Sequence, residues 1–287
     1  MKQLTLLLLA CLTLACAQGE GELPVAAEAP QEQPAPADTD AIPPEDTEAD
    51  GVVEEHPDLI ALREQLAREP GDPTAHRRLG VALRHTGKTE EALEHLARAV
   101  ELAPDDINAR LSLGIAYAAE HRLTEAEVAY RRILELEPQH AKALHNLGNV
   151  AMRRGTEDEA IALYRRATEA DPEYVAAYLK LADLLKYHGH LDEAYPVYEK
   201  ILTLRPKNSR DQLAMIESMY GMGSINLTRQ DYEIAEKQLA QVTRIMPQHR
   251  SAHWARAQAL IQLGRHEEAQ EALQAHVGTL VDPDGGS

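Results

Sequence analysis

From Pro73 to Pro283 the same spacing of residues returns every 34 positions, with one interruption. A chain built this way buries its apolar side chains by stacking like units on one another, which makes it a helical-repeat solenoid. The period is marked by Leu79-Gly80, Leu113-Gly114, Leu147-Gly148 and Leu181-Ala182. Downstream in each unit come an alanine (Ala92, Ala126, Ala160, Ala194), a large residue four later (Leu96, Tyr130, Tyr164, Tyr198) and a proline (Pro104, Pro138, Pro172, Pro206).

These registers resemble the tetratricopeptide repeat family. The resemblance implies an all-α fold: a right-handed superhelical solenoid whose units are two antiparallel helices, A and B. Small side chains let A and B approach to about 8–10 Å, so Gly80 or Gly114 is expected to face Ala92 or Ala126. Each proline lacks an N–H and disfavours helix before it, which ends helix B and suits the first turn of the next helix A. Asp72-Pro73 and Asp171-Pro172 are read as capping carboxylates placed just before such prolines.

Four regular units span 73–106, 107–140, 141–174 and 175–208, and two less regular ones span 216–249 and 250–283, before a short tail at 284–287. The fifth keeps register through Met222-Gly223, Ala235, Leu239 and Pro247 if residues 209–215 are an insertion that lengthens its helix A. The glycines at 221 and 223 mark that stretch as the least rigid, since glycine weakens a helix by about 1 kcal/mol. In the sixth, Trp254, Gly264, Ala269 and Leu273 fit. Ala257-Gln258 is read in place of Leu-Gly, and Val281 stands where a proline is expected. A buried Gln258 would need hydrogen-bond partners, so this unit is expected to be looser or to act as a cap. Residues 57–72 read as one amphipathic helix and a linker, with Leu59, Leu62 and Leu66 facing the first unit like a lone helix B that seals the N-terminal end.

The first 56 residues are of another kind. Lys2 precedes an apolar run through Leu4, Leu6 to Leu9 and Leu12, which reads as a secretory signal too short to span a membrane. Leu14-Ala15-Cys16 and Leu9-Ala10-Cys11 both resemble a lipobox, and Cys16 leaves the more usual apolar length, which implies a signal peptide over 1–16 and lipidation of Cys16. Ala15-Cys16-Ala17 also reads as a cleavage site that would release a soluble periplasmic protein. Ala17 after the cysteine resembles lipoproteins sorted to the outer membrane, facing the periplasm. No cysteine follows Cys16, so the repeats hold neither a disulfide nor a thiolate. Residues 17–56 carry twelve acidic side chains, six prolines and no lysine or arginine, a composition expected of a disordered acidic tether.

Charge narrows the partners. The whole chain is −18, but residues 57–287 carry 28 basic against 35 acidic side chains, or −7. No dense basic patch argues for nucleic acid. In the family that the repeats resemble, helix A lines a concave groove through its positions 2, 5, 6, 9, 12 and 13. In the first four units these positions hold Arg77, Arg78, Arg84, Lys142, Arg153, Lys180 and Lys186 with His85 and His145, against Asp183 alone. In the last two they hold Tyr220, Leu227 and Trp254, with Glu217, and Leu263 stands one position past the last of them. Together with Asn149, this set is the expected partner-binding groove. It suits an acidic peptide or terminal carboxylate beside an apolar anchor, since arginine and lysine pair with carboxylates and Tyr and Trp anchor interfaces.

The carboxylate clamp of chaperone-binding repeats is missing: from the first unit its positions give Arg77, Val81, Ser112, Lys142 and Asn146. Asn146 and Asn149 resemble an asparagine ladder in one unit only. His266-Glu267-Glu268 lacks the second histidine of a zinc-protease helix, and His188 and His190 lack a third ligand. No cofactor, metal or catalytic residue is expected. The expected function is a non-catalytic scaffold or adaptor in the bacterial envelope. It would hold a protein or peptide and meet the membrane only through a lipid anchor. The alternative is a chaperone-like, peptide-holding factor of the secretin or pilus assembly type.

Overall fold

The computed structural model describes residues 57–281, with side chains through 277. The expected signal, Cys16 and the acidic segment 17–56 lie outside the described residues, as do residues 282–287. The described chain is all-α, and the 34-residue units appear as helix pairs.

Helix α1 (Pro57–Arg68) is single. The pairs follow: α2 (Pro73–His85) with α3 (Thr89–Leu102), α4 (Ile107–Ala119) with α5 (Leu123–Leu136), and α6 (Ala141–Arg153) with α7 (Glu157–Ala170). Then come α8 (Val175–Tyr187) with α9 (Leu191–Thr203), α10 (Ser209–Thr228) with α11 (Tyr232–Ile245), and α12 (Arg250–Gln262) with α13 (His266–Val281). Helix α10 is 20 residues long where α8 is 13, and the excess lies at its N-terminus. Among the described residues no helix is long and apolar enough to cross a membrane.

Five of the six A helices start on a side-chain acceptor at the N-cap. Asp72 accepts from the Thr74 and Ala75 amides, Asp106 from Asn108 and Ala109, and Asn208 from Asp211. His140 and His249 do the same through Nδ1, each accepting one amide at 3.1 Å. Asp171 does not cap α8, whose N-cap is Tyr174. It accepts from the Glu173 amide at 3.0 Å and braces the turn around Pro172. The repeat proline thus lies in the B-to-A turn, two positions or more before the next helix.

The A-to-B turn is set at position 15 of the unit. Gly87, Gly155, Gly189 and Gly264 all have φ between 72° and 76°, and His121 (57°) and Gln230 (67°) adopt the same left-handed conformation without glycine's freedom. The bond that closes each turn spans five residues, as in Lys88 N to Leu83 O and Asp231 N to Asn226 O.

Between A and B, the small residue at position 8 does not meet the alanine alone. A Cβ on Gly114 would lie 2.6 Å from Cε1 of Tyr130, and one on Gly148 would lie 2.6 Å from Cε1 of Tyr164. The glycine therefore makes room for the aromatic ring at position 24, which is 1% exposed in both units. In the fourth unit position 8 is Ala182, and the Tyr198 ring packs against Gly221 of the next A helix, whose Cβ would lie 2.5 Å from Cζ. Gly223 similarly faces Leu239 at 2.8 Å. Both glycines sit buried in a continuous helix, so close packing explains them better than slackness does.

The sixth unit corrects the sequence register by one residue. Ala257, fully buried, occupies the small position, Gln258 is only half-buried, and position 7 is Arg256. That guanidinium donates to Glu236 Oε1 at 3.1 and 3.2 Å, and Arg265 approaches the other oxygen at 3.3 Å, so the buried carboxylate of α11 is neutralised across the repeat boundary. An ion pair thus fills the place where the earlier units use leucine.

Along the B helices, an arginine at position 25 reaches a glutamate at position 19 of the next unit: Arg131 to Glu159 at 3.5 Å and Arg165 to Glu193 at 2.5 Å. Arg63 of α1 pairs with Glu91 in the same register, which identifies α1 as a B helix without its A. Such exposed pairs contribute at most about 1 kcal/mol each. The seal comes from Leu59, Leu62 and Leu66, buried against Leu79 and Leu83.

Candidate functional site: the concave face of the A helices

Successive A helices come close along their backbones, α2 with α4, α4 with α6, α8 with α10 and α10 with α12, whereas successive B helices stand further apart and meet through side chains such as Arg165 and Glu193. The closer spacing on the A side makes that side the concave one. Its lining is the row of A-helix side chains.

In the first three units that lining divides into two kinds. Lys142 is exposed, and Arg77 and Arg84 are half-buried; Arg84 Nη2 is 3.5 Å from His85 Nε2, and Arg77 Nε is buried with no acceptor. His145, Asn149 and Arg153 serve the packing instead. The His145 ring is 7% exposed and lies 5.6 and 5.2 Å from the Tyr164 and Tyr174 rings, so it cannot present itself to a partner. Asn149 Oδ1 accepts the Tyr164 hydroxyl at 2.8 Å. Arg153 donates to the Ala118 carbonyl at 2.5 Å and to His121 Nδ1 at 2.7 Å, bridging the second and third units.

The fourth and fifth units carry the denser chemistry. Lys186 Nζ stands 5.8 Å from the Tyr198 ring centroid and 5.4 Å from that of Tyr220, within range of cation–π attraction. Tyr220 in turn packs at 4.7 Å on His249. The Tyr198 hydroxyl passes between the helices and donates to Asp183 Oδ1 at 2.5 Å. Asp183 is open to solvent along the groove yet ringed by its walls. Crowding raises its pKa against the lowering effects of the Tyr198 hydroxyl, Lys186 and Lys180. Burial, then the Asp183 charge, push the Tyr198 phenol up. Further along, Trp254 packs at 5.7 Å on His276, with its indole N–H buried and without an acceptor.

The Tyr198–Asp183 and Tyr164–Asn149 pairs share one spacing, position 24 to position 9 of the same unit. Their place in the repeat marks the rings as packing residues but does not reveal where the hydroxyls go. A polar residue at position 9, fifteen before each tyrosine, is the signal that could have found them.

Arg77, Arg78, Arg84, Lys142, Lys180 and Lys186 make no ion pair among the described residues, whereas Arg98, Arg122, Arg131, Arg132, Arg165 and Arg265 each do. Among the described residues no group of three His, Cys, Asp or Glu side chains could hold a metal ion. His188 instead meets Glu157 at 2.8 Å.

Tetratricopeptide repeat models match residues 71–139, 111–175, 151–210 and 220–284. The chain belongs to the tetratricopeptide repeat family. No curated protein matches its sequence. Among solved structures, a tetratricopeptide protein, YrrB, whose crystal structure is described as having an unusual peptide-binding site, is similar at TM-score 0.51 and 20% identity, over 68% of this chain and 96% of that one. Pseudomonas aeruginosa PilF is similar at TM-score 0.60 and 19% identity, over 72% and 91%. A chain of the APC/C hetero-tetramer Cut9–Hcn1 is similar at 0.59 and 14%, over 78% of this chain and 44% of that one. At these identities the likeness is one of fold.

Proposed function

We propose that the protein is a non-catalytic scaffold whose concave face holds a protein or peptide with acidic groups beside an apolar anchor. The observation that carries this reading is the difference between the two faces. On the B helices Arg98, Arg131, Arg132 and Arg165 are ion-paired with glutamates, whereas the six A-side cations named above make no ion pair among the described residues, in a domain with an excess of acids. One of them, Lys186, stands against both the Tyr198 and Tyr220 rings. An incoming carboxylate would supply the missing partner, and a charge-assisted hydrogen bond of this kind contributes about 1.5–3 kcal/mol.

The test is selection of a random peptide library on the immobilised protein, followed by titration of the enriched peptides. Acidic sequences with an aromatic or aliphatic anchor are expected. Arg84→Ala, Lys142→Ala and Lys186→Ala together should weaken them at least tenfold, as about 1.4 kcal/mol would. Unchanged affinity in the triple variant would overturn the assignment.

The leader supports placing this scaffold in a bacterial envelope, tethered by a lipidated Cys16 on the periplasmic side of the outer membrane. Two or more acyl chains hold a protein to a membrane where one holds only marginally. The mass of the mature N-terminus in membrane and soluble fractions tests this. A diacylated Cys16 that Cys16→Ser abolishes is expected; an unmodified start at Gln18 in the soluble fraction would replace it with a diffusible periplasmic binder.

A further inference from the structure

The cations on the concave face belong to a chain that carries its own acidic ligand. Residues 38–50 hold Asp38, Asp40, Glu45, Asp46, Glu48 and Asp50 with no basic residue, and they end seven positions before α1. We propose that this segment docks in cis on the basic half of the concave face, along α2, α4, α6 and α8, so that any partner of the groove must displace it.

Three observations carry the assignment. The first is charge: six acids meet six A-side cations that have no ion-pair partner among the described residues, while Arg131, Arg132 and Arg165 on the B helices already have theirs. The second is reach. Arg77 and Lys186 lie on A helices three units apart, and packing steps of about 10 Å place them about 30 Å from one another. Thirteen extended residues cover about 43 Å, and the seven residues to α1 add about 23 Å. The third is local concentration, since a segment joined by so short a connection meets its site at an effective concentration on the order of millimolar. Weak, salt-screened pairs that would not hold a free peptide then suffice. The apolar Ala41-Ile42-Pro43-Pro44 between the acids offers the tyrosine platform its anchor, and the paired prolines lower the entropy lost on docking.

This inference rests on reading the concave face as a binding surface, but its test needs no partner, so the two can fail separately. The chain from residue 17 on contains no cysteine, and Ile42→Cys therefore accepts a cysteine-linked photo-crosslinker at one site. Cross-linked peptides are expected from α2, α4, α6 and α8, with a yield independent of protein dilution. The yield should fall at least fivefold when the six acids are changed to Asn and Gln, and likewise at about 0.5 M salt, where screening acts within a few ångströms. Cross-links spread over the B helices, formed between copies, or unchanged by neutralising the acids would each overturn the proposal.

Discussion

Gly221→Ala should be among the more damaging single-methyl changes in this protein, and Ala182→Gly should relieve part of the damage. A Cβ at 221 would sit 2.5, 2.7 and 2.8 Å from three atoms of the Tyr198 ring. Ordinary carbon contacts begin near 3.5 Å, so the ring must retreat by about 1 Å. It has no slack, being fully buried with its hydroxyl held by Asp183 and its face under Lys186. Overpacking of this size costs about 1–3 kcal/mol. Losing the Tyr198–Asp183 hydrogen bond adds about 1 kcal/mol. Alanine's better helix propensity returns about 1 kcal/mol. The net expectation is a loss of about 1–3 kcal/mol.

The rescue follows from comparing units. Where position 8 is glycine, as at 114 and 148, the tyrosine ring lies against it; where position 8 is Ala182, the ring lies against Gly221. Removing the Ala182 methyl reopens the first berth. The double variant should therefore be more stable than the sum of the single changes by about 1–2 kcal/mol, well above the few tenths expected of independent sites. Urea unfolding followed by circular dichroism gives the total. Amide exchange in α9 and α10 locates it, which matters because repeat arrays can unfold unit by unit. A neutral Gly221→Ala, or strictly additive changes, would refute the claim that one ring competes for two berths.

Three further changes probe other parts of the argument. Gln230→Gly relieves a left-handed residue at the turn where four other units have glycine, and should raise stability by about 1 kcal/mol, read as a higher urea midpoint at unchanged slope. Arg256→Leu leaves buried Glu236 with Arg265 alone and should destabilise, whereas Arg256→Leu with Glu236→Leu should restore stability to near the parent, since apolar replacements of buried pairs are often neutral; thermal melts of the three proteins decide. His95 sits 2.9 Å from His76, nitrogen to nitrogen, and burial, then the His76 charge, lower its pKa below the usual 6.5. The unfolded chain then binds the proton more readily, so stability is full above about pH 6.5 and falls as pH drops below it. His95→Gln should flatten that slope, and an unchanged slope would remove His95 as its source.

The fold was legible because packing in this family is periodic: one residue type at one position repeats six times, and each repetition tests the last. The register failed where periodicity weakened. In the sixth unit Arg256 replaces leucine through an ion pair with a residue twenty positions earlier, which no local pattern announces. His145 and Asn149, expected in the groove, are drawn into contacts with tyrosines for a related reason. Position alone says that a side chain points inward from helix A, but whether it then reaches solvent depends on what the neighbouring tyrosines do.

That dependence links packing to the candidate site. At position 24 a leucine, as at 96 and 239, fills the gap between helices and ends there. A tyrosine fills the same gap and carries a hydroxyl through it to the concave side, where position 9 decides its chemistry. Asn149 ties it off as a neutral pair; Asp183 sets a carboxylate beside Lys180 and Lys186. The middle of the array is therefore where core residues also shape the groove, and substitutions there should change stability and binding together. Tyr198→Phe separates the two: the ring and its packing stay, the hydroxyl goes, and Asp183 is left to the lysines. Binding of an acidic peptide should weaken as that carboxylate draws Lys180 and Lys186 closer, while Asp183→Asn should strengthen it. Equal affinities in the two variants would mean that the groove is read by shape and not by charge.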